Sequence, residues 1–384
     1  MSNNKNVRLG DIVERFRKKC GNANATVSGV DINKQFIPTR ANLEETDISS
    51  YYLVPPTYFA CNLMHIGRDE RLPIAYNSTC NNIVVTSAYF VFHVKESKKH
   101  LIVDDFLYIF FNSKEIDRLT WFYTDSSVRG NLNESRFLDI EIPLLSIDEQ
   151  QKVVNCWKAL REIKEQNEQK AQPLMQVCQS YIQDLKHKYE AIGLGSLNKK
   201  SLKLRIGDAI MIADVTNTDA RDYEVLGLNK DKVFMPTAAN MESIDTKKYK
   251  VVSKGMFAFS GMQTGRDVCI RIALYDSDTP CLISPAYTTF TLDKSKGILP
   301  EFYMLMFKRK EMDRLGWFIS ESSVRSNLEW PRFLDIEIPL PPIEVQQAIV
   351  NIYNCANEAK QIAAEADRMS REVCPALLQH IINN

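Results

Sequence analysis

The sequence predicts an α+β chain that carries one unit twice, each copy a compact sheet-and-helix part followed by a long helix. Three observations predict it. The nine residues RFLDIEIPL begin at Arg136 and again at Arg332, 196 residues apart (332 less 136) in a chain of 384. β-branched and aromatic runs bounded by turn residues precede each nonamer, as buried strands do. Apolar residues at three- and four-residue steps follow each nonamer, the mark of one buried helix face. A self-match at a fixed period decides the architecture before any single element is read.

The elements follow in order. Each copy opens with R-[LI]-G-D, at Arg8 and Arg205. F-[IM]-P-T-x-A-N-[LM]-E starts at Phe36 and Phe234, and Gly67-Arg68-Asp69 matches Gly265-Arg266-Asp267 at the same spacing. Strand-like runs cover residues 82–94 and 281–292, and helix-like segments cover 104–120 and 299–315. E-[IM]-D-R-L opens at Glu115 and Glu311, and W-F-x-x-[DE]-S-S-V-R-x-N-L at Trp121 and Trp317. The last shared phrase, I-x-x-Q-Q, stands at Ile147 and Ile343.

A helical region then runs from Asp148 to about Tyr189, with apolar residues at Val153, Val154, Trp157, Leu160 and Ile163, then Val177, Cys178, Tyr181, Ile182 and Leu185. Between them residues 164–171 are almost wholly polar and Pro173 follows. Proline removes a helical hydrogen bond, so a bend or short break is expected near residues 170–173. Residues 344–382 repeat the plan, with Pro375 near the end. Two helices of ~40 residues, each ~60 Å long at ~1.5 Å per residue, pair most simply as a coiled coil. Residues 192–200 read as a hinge. The expected division is 1–147, a globular domain; 148–195, helix and hinge; 196–343, a second globular domain; and 344–384, a second helix.

Lysine plus arginine equals aspartate plus glutamate, 48 each. Zero net charge argues against a histone-like nonspecific binder but leaves room for a basic groove on one face. The polar N-terminus lacks the apolar core of a signal peptide, and no apolar run approaches a membrane span. A cytoplasmic chain without membrane contact is expected. The nine cysteines form no C-x-x-C pair, which reads as reduced thiols. Cys178 and its equivalent Cys374 read as core packing.

With these elements in place, the chain resembles the DNA specificity subunit (S subunit) of type I restriction-modification systems. The resemblance covers nearly the whole chain. It is carried by the R-x-G-D openings, the alternation of globular unit and long helix, and the phrase I-P-L-x-x-I-x-x-Q-Q-x-[VI]-V that leads into each helix. The second junction, IPLPPIEVQQAIV, is the most specific part; at the first, Leu145 and Ser146 stand in place of Pro341 and Pro342. The resemblance implies two target recognition domains, each reading half of a bipartite site in double-stranded DNA. It implies that the helices form an antiparallel spacer and dock two methyltransferase (M) subunits, with motor-nuclease (R) subunits joining that core. S-adenosylmethionine, ATP and Mg are then expected on those partners, with no cofactor on this chain.

Where the copies agree, scaffold is expected; where they differ, sequence readout. Glu70-Arg71 faces Val268-Cys269, and Arg271 faces Pro73. Arginine forks onto guanine, Gln pairs with adenine, and carboxylates accept from cytosine. Arg68, Asp69, Glu70 and Arg71 are therefore the first unit's readout candidates, and Gln263, Arg266 and Arg271 the second's. The competing reading of these turns is a charged surface with local ion pairs. Ser127, Arg129, Ser323 and Arg325, in the shared S-S-V-R-x-N-L element, suit phosphate positioning, which carries no sequence information. Their competing reading is a capped loop. Arg136 and Arg332, inside the identical nonamer, read equally well as structural ion-pair formers.

Searches for catalysis come back empty. There is no N-P-P-[YF]-type tetrapeptide, and GMQTGR at 261–266 lacks the Lys-Ser/Thr end of a phosphate loop. His65, His93, His100, His187 and His380 show no metal spacing. Asp139 with Glu141, and Asp335 with Glu337, read better as the polar face of a strand than as a nuclease pair. A non-catalytic recognition subunit is the leading reading; a cryptic DNA nuclease and a helical scaffold without a DNA partner are the alternatives.

Overall fold

The computed structural model describes all residues except 1–4, 22–25, 40–42, 44–46, 65, 126–129, 192–202, 238–239, 242–243, 322–325 and 384. The chain divides into two compact units, Met1–Glu168 with Lys360–Asn384, and Gln169–Ala359. Each unit therefore holds one globular part and a length of both long helices. The expected hinge at 192–200 lies outside the described residues.

The repeat in sequence is a repeat in fold. In the first unit one antiparallel sheet has the order Val13–Arg15, Phe90–Val94, Phe59–Cys61, Ile74–Tyr76. The other has the order Phe36–Pro38, Thr26–Val30, Ile83–Val85, Tyr52–Val54, with its central pair parallel. A two-stranded ladder joins Lys5–Arg8 to Glu141–Leu144. The second unit repeats this order: Ile210–Ile212, Thr288–Leu292, Phe257–Ser260, Arg271–Leu274 in one sheet, and Phe234–Pro236, Val225–Leu228, Cys281–Ile283, Lys250–Val252 in the other. Lys203–Arg205 pairs with Glu337–Pro339.

Two expected elements prove to be two each. The run 82–94 divides into Ile83–Val85 and Phe90–Val94, which belong to different sheets. A turn separates them, closed by Tyr89 N donating to Thr86 O at 3.1 Å, while Val30 N donates to the Tyr89 hydroxyl at 3.0 Å. Tyr287 closes the equivalent turn on Ser284. The segment 104–120 divides into helices Asp104–Phe111 and Lys114–Phe122, and 299–315 into Pro300–Phe307 and Lys310–Ile319. Ser113 starts the second helix of its pair by accepting from Ile116 N, the usual role of serine at a helix N-terminus.

Aromatic side chains fill both cores. Phe59 stacks on Phe92 at 5.0 Å between ring centroids, with Phe111 and Phe137 against them. Phe257 stacks on Phe290 at 5.1 Å, with Tyr303 edge-on to both, and Phe307 stacks on Phe333. All nine are fully buried, and each phenylalanine ring contributes roughly 1.5–3 kcal/mol by removal from water.

The shared phrases are fastenings. Arg8 pairs with Asp139 at 3.6 Å, and Arg205 with Asp335, so the R-x-G-D opening grips the nonamer in each unit. Glu141 accepts from Asn6, and Glu337 pairs with Lys203. These partners explain the carboxylates of D-I-E-I-P without chemistry. The first glutamine of Q-Q is fully buried and satisfied. Gln150 donates to Leu101 O and Leu145 O and accepts from Val103 N, at 2.8–2.9 Å. Gln346 does the same with Gly297 O, Pro341 O and Leu299 N.

The long helices Ile147–Ala191 and Ile343–Asn383 run unbroken past Pro173 and Pro375. The expected short break near 170–173 is absent. Proline deletes one hydrogen bond, but burial of Val153, Val154, Trp157 and Ala171 before it, and of Cys178, Ile182 and Leu185 after it, holds the helix on both sides. Ile163, Val177 and Tyr181, counted in the apolar stripe, are largely exposed. In the first unit the two helices run antiparallel. Lys164 meets Asp367 at 2.8 Å, while Arg161 and Arg371 both lie near the Tyr108 hydroxyl. In the second unit Cys178, Ile182 and Leu185 share a core with Ile349 and Val350.

Candidate nucleic-acid interface

In each unit the Gly-Arg-Asp turn and the end of the S-S-V-R-x-N-L element lie together. Gly67 N donates to Gly130 O at 3.0 Å, and Gly265 N to Ser326 O at 2.7 Å. Leu132 N bonds Leu63 O, and Leu328 N bonds Gly261 O, both at 2.8 Å. The approach is close. A Cβ added at Gly130, whose φ is +57°, would lie 2.3 Å from Gly67 Cα, and one at Gly265 would lie 2.4 Å from Ser326 Cβ. Each approach needs glycine on one side: Gly130 in the first unit, and Gly265 in the second, where Ser326 at φ +46° takes the place of Gly130.

The turns themselves are short helices, Ile66–Asp69 and Thr264–Asp267. Arg68 sits in the first, with its side chain outside what is described; Asp69 is partly buried there. Glu70 ends the turn at φ +51°, its N–H bonded to Ile66 O, and it is exposed. Arg71 is exposed, with its guanidinium 3.5 Å from Ile32 O. In the second unit Gln263 enters the turn at φ +60°, and its N–H donates to Asn327 Oδ1 at 3.0 Å. Its side-chain oxygen accepts from Arg266 at 2.6 Å. Ser127, Arg129, Ser323 and Arg325 lie outside the described residues.

Electrostatics shape the second turn. Asp267 is ringed by Arg271, Arg266 at 3.2 Å and Lys230 at 3.5 Å. Lost hydration works to raise its pKa, yet the three cations outweigh it and hold the carboxyl below its ordinary value. Three cations around one anion leave this turn locally positive. Arg266 keeps 60% of its side chain exposed, whereas Arg271 keeps 24% and leans on Asp267. Arg266 is thus presented outward, and Arg271 is held in.

Several residues here escaped the sequence reading. Lys34 and Lys232 are buried, each at φ +61° in the hairpin turn before Phe36 or Phe234. Lys34 Nζ donates to Asp117 at 2.7 Å and to Phe111 O at 2.5 Å; Lys232 Nζ donates to Asp313 at 2.6 Å and to Ile270 O at 2.7 Å. Burial lowers the Lys34 ammonium pKa although Asp117 works to raise it. The other missed group is the exposed pair Trp121-Phe122 and its equal Trp317-Phe318, with Phe122 80% and Phe318 78% exposed. Arg136 and Arg332 donate to Tyr123 O and Ile319 O at the ends of those helices, so the nonamer arginines act as caps. Identity between copies was the available signal in both cases. A lysine or a Trp-Phe pair in isolation carries none.

Among the described residues no group of three or more His, Cys, Asp or Glu is placed to hold a metal ion, and no helix is long and apolar enough to cross a membrane.

Residues 216–354 match the family model for the type I restriction modification DNA specificity domain. No curated protein matches the sequence. Among solved structures, the S subunit of a type I restriction-modification system from M. genitalium superposes with a TM-score of 0.60 at 10% identity. That match covers 98% of this chain and 96% of the other. The HsdS subunit from Thermoanaerobacter tengcongensis matches with a TM-score of 0.39 at 14% identity, over 99% of this chain and 95% of the other.

Proposed function

We propose that this chain, whose second unit carries a type I restriction-modification DNA specificity domain and whose fold is that of an S subunit, is the sequence-reading subunit of such a complex. Residues 1–147 and 196–343 are its two target recognition domains, each meeting one half of a bipartite site in double-stranded DNA. The long helices of 148–195 and 344–384 set the separation and dock two M subunits, to which R subunits add. The chemistry belongs to those partners, with S-adenosylmethionine on M and ATP with Mg on R.

One observation supports this reading above the others: the same pair of loops is built twice on the same fastenings, with different side chains at the tip. Exposed Glu70 and Arg71 stand at the first tip where the second carries Val268 and Cys269. Repeated scaffold with divergent tips is what a two-part asymmetric target requires. Base-edge contacts specify, while contacts common to both halves only position.

The test is expression of this chain with its M partner, followed by methylome sequencing of the host. A bipartite methylated motif with two unlike halves is the expected result. The purified chain alone should neither methylate nor cut DNA. Methyl transfer by the isolated chain, or a co-expressing host without any new motif, refutes the proposal.

A further inference from the structure

We propose that the buried pairs Lys34–Asp117 and Lys232–Asp313 are positioning residues for sequence readout, each fixing the outgoing end of the recognition turn in its unit. The inference rests on the reading above that these turns meet DNA.

The aspartate's two bonds are the same in both copies. One oxygen of the aspartate, Oδ1, takes two bonds. It accepts from the lysine ammonium, and it accepts from the backbone N–H that follows the turn: Leu72 N at 3.0 Å in the first unit and Ile270 N at 2.9 Å in the second. Leu72 comes directly after Arg71, and Ile270 directly after Cys269. The aspartate itself stands in the first turn of helix Lys114–Phe122 or Lys310–Ile319. The incoming end of each turn is fixed separately, through Gly67 to Gly130 and Gly265 to Ser326. Between two fixed ends lie four residues that differ at two positions between the units, Glu70-Arg71 against Val268-Cys269. The holder is constant and the held segment varies.

A structural role alone accounts poorly for this choice. A buried ion pair gives back in Coulomb energy roughly what it loses in hydration, and well-packed apolar residues often replace it without loss. What an apolar pair cannot supply is an acceptor for the N–H of Leu72 or Ile270. The aspartate gives that N–H a fixed partner, and the lysine holds the aspartate in the right rotamer from the far side. Readout tolerates ~0.5 Å of error, so loss of this anchor is enough to break a two-bond fork onto a base.

The test uses the chain assembled with its M partner and a duplex carrying the methylated motif, against duplexes changed at one base in either half. Lys232→Met should lower both thermal stability and discrimination in the second half-site. The double variant Lys232→Met with Asp313→Leu should be more stable than Lys232→Met, short of wild type because Ile270 N–H stays unpaired, yet keep the defect, with discrimination down about tenfold or more in that half alone. A second comparison does not depend on the double variant folding. Asp313→Asn retains an acceptor for Ile270 N–H and should preserve discrimination better than Asp313→Ala. Full discrimination in the double variant, or equal loss in Asp313→Asn and Asp313→Ala, overturns the proposal and leaves the pair as packing only. Loss in both half-sites at once overturns it as well. A wild-type complex that marks no bipartite motif removes the underlying reading, and the proposal falls with it.

Discussion

Arg266 and Arg271 both touch Asp267, but only Arg266 is presented to solvent. That difference sorts candidates that the sequence alone could only group together. Arg266→Ala should cost ~1–3 kcal/mol at one base of the second half-site, the worth of a forked contact. Arg71→Ala should do the same in the first half-site only. Arg325→Ala and Arg129→Ala should instead weaken binding to every sequence alike and flatten the salt dependence, as loss of a phosphate contact does. Binding titrations at several salt concentrations, with single-base variants of the target, separate the two behaviours. An Arg266 variant whose loss was uniform across sequences would contradict the assignment. The divergent tips were legible because the two copies could be compared position by position. Lys34 and Lys232 were not, because a lysine in a polar turn such as D-I-N-K-Q reads as solvated. Its burial depends on Asp117, 83 residues further along the chain.

At the scale of elements, the repeated phrases told where each element stood and the structure tells what each one holds. The nonamer is identical in both copies because it does three jobs: its arginine caps a helix, its aspartate grips the opening R-x-G-D, and its strand pairs with the first strand of the unit. Strand and helix types were legible from side-chain patterning, but two breaks were not. The apolar run 82–94 hides a turn at Thr86 to Tyr89, and Ser113 caps a new helix inside a pattern that reads as one. Pro173 misled in the other direction, since local propensity yields to packing along a 45-residue helix. The Q-Q phrase carries its own prediction. Gln150→Ala leaves Leu101 O, Leu145 O and Val103 N without their partner at a buried junction. Such a loss should cost at least about 3 kcal/mol, given ~1–3 kcal/mol for each of three groups left unsatisfied. Chemical denaturation of the variant checks it, and a midpoint equal to wild type would show that the glutamine is dispensable.

At the scale of the whole molecule, the proposed function has duplication let one chain read two unlike sequences with one architecture. Each globular part is fastened to the start of its own long helix by a buried glutamine, so a change in helix length is transmitted to the domain as a displacement and not as a deformation. Lys164 and Asp367 mark equal depth on the antiparallel helices of the first unit. Four residues inserted after Lys164, with four more before Asp367, lengthen both helices on the same side of that contact. At ~1.5 Å per residue the insertion adds ~6 Å, close to two base-pair steps of ~3.4 Å. It also turns the downstream helix by ~40°, since four residues at 3.6 per turn overshoot one turn. The DNA between the half-sites must follow with a similar rotation, and a spacer longer by one or two base pairs supplies it. The methylated motif of the inserted variant should therefore keep both half-sites letter for letter and widen only the unread bases between them. Motif mapping of the variant against wild type decides the matter. If either half-site were rewritten while the spacer stayed constant, the helices would not be the ruler, and the separation would have to be set within the recognition domains themselves.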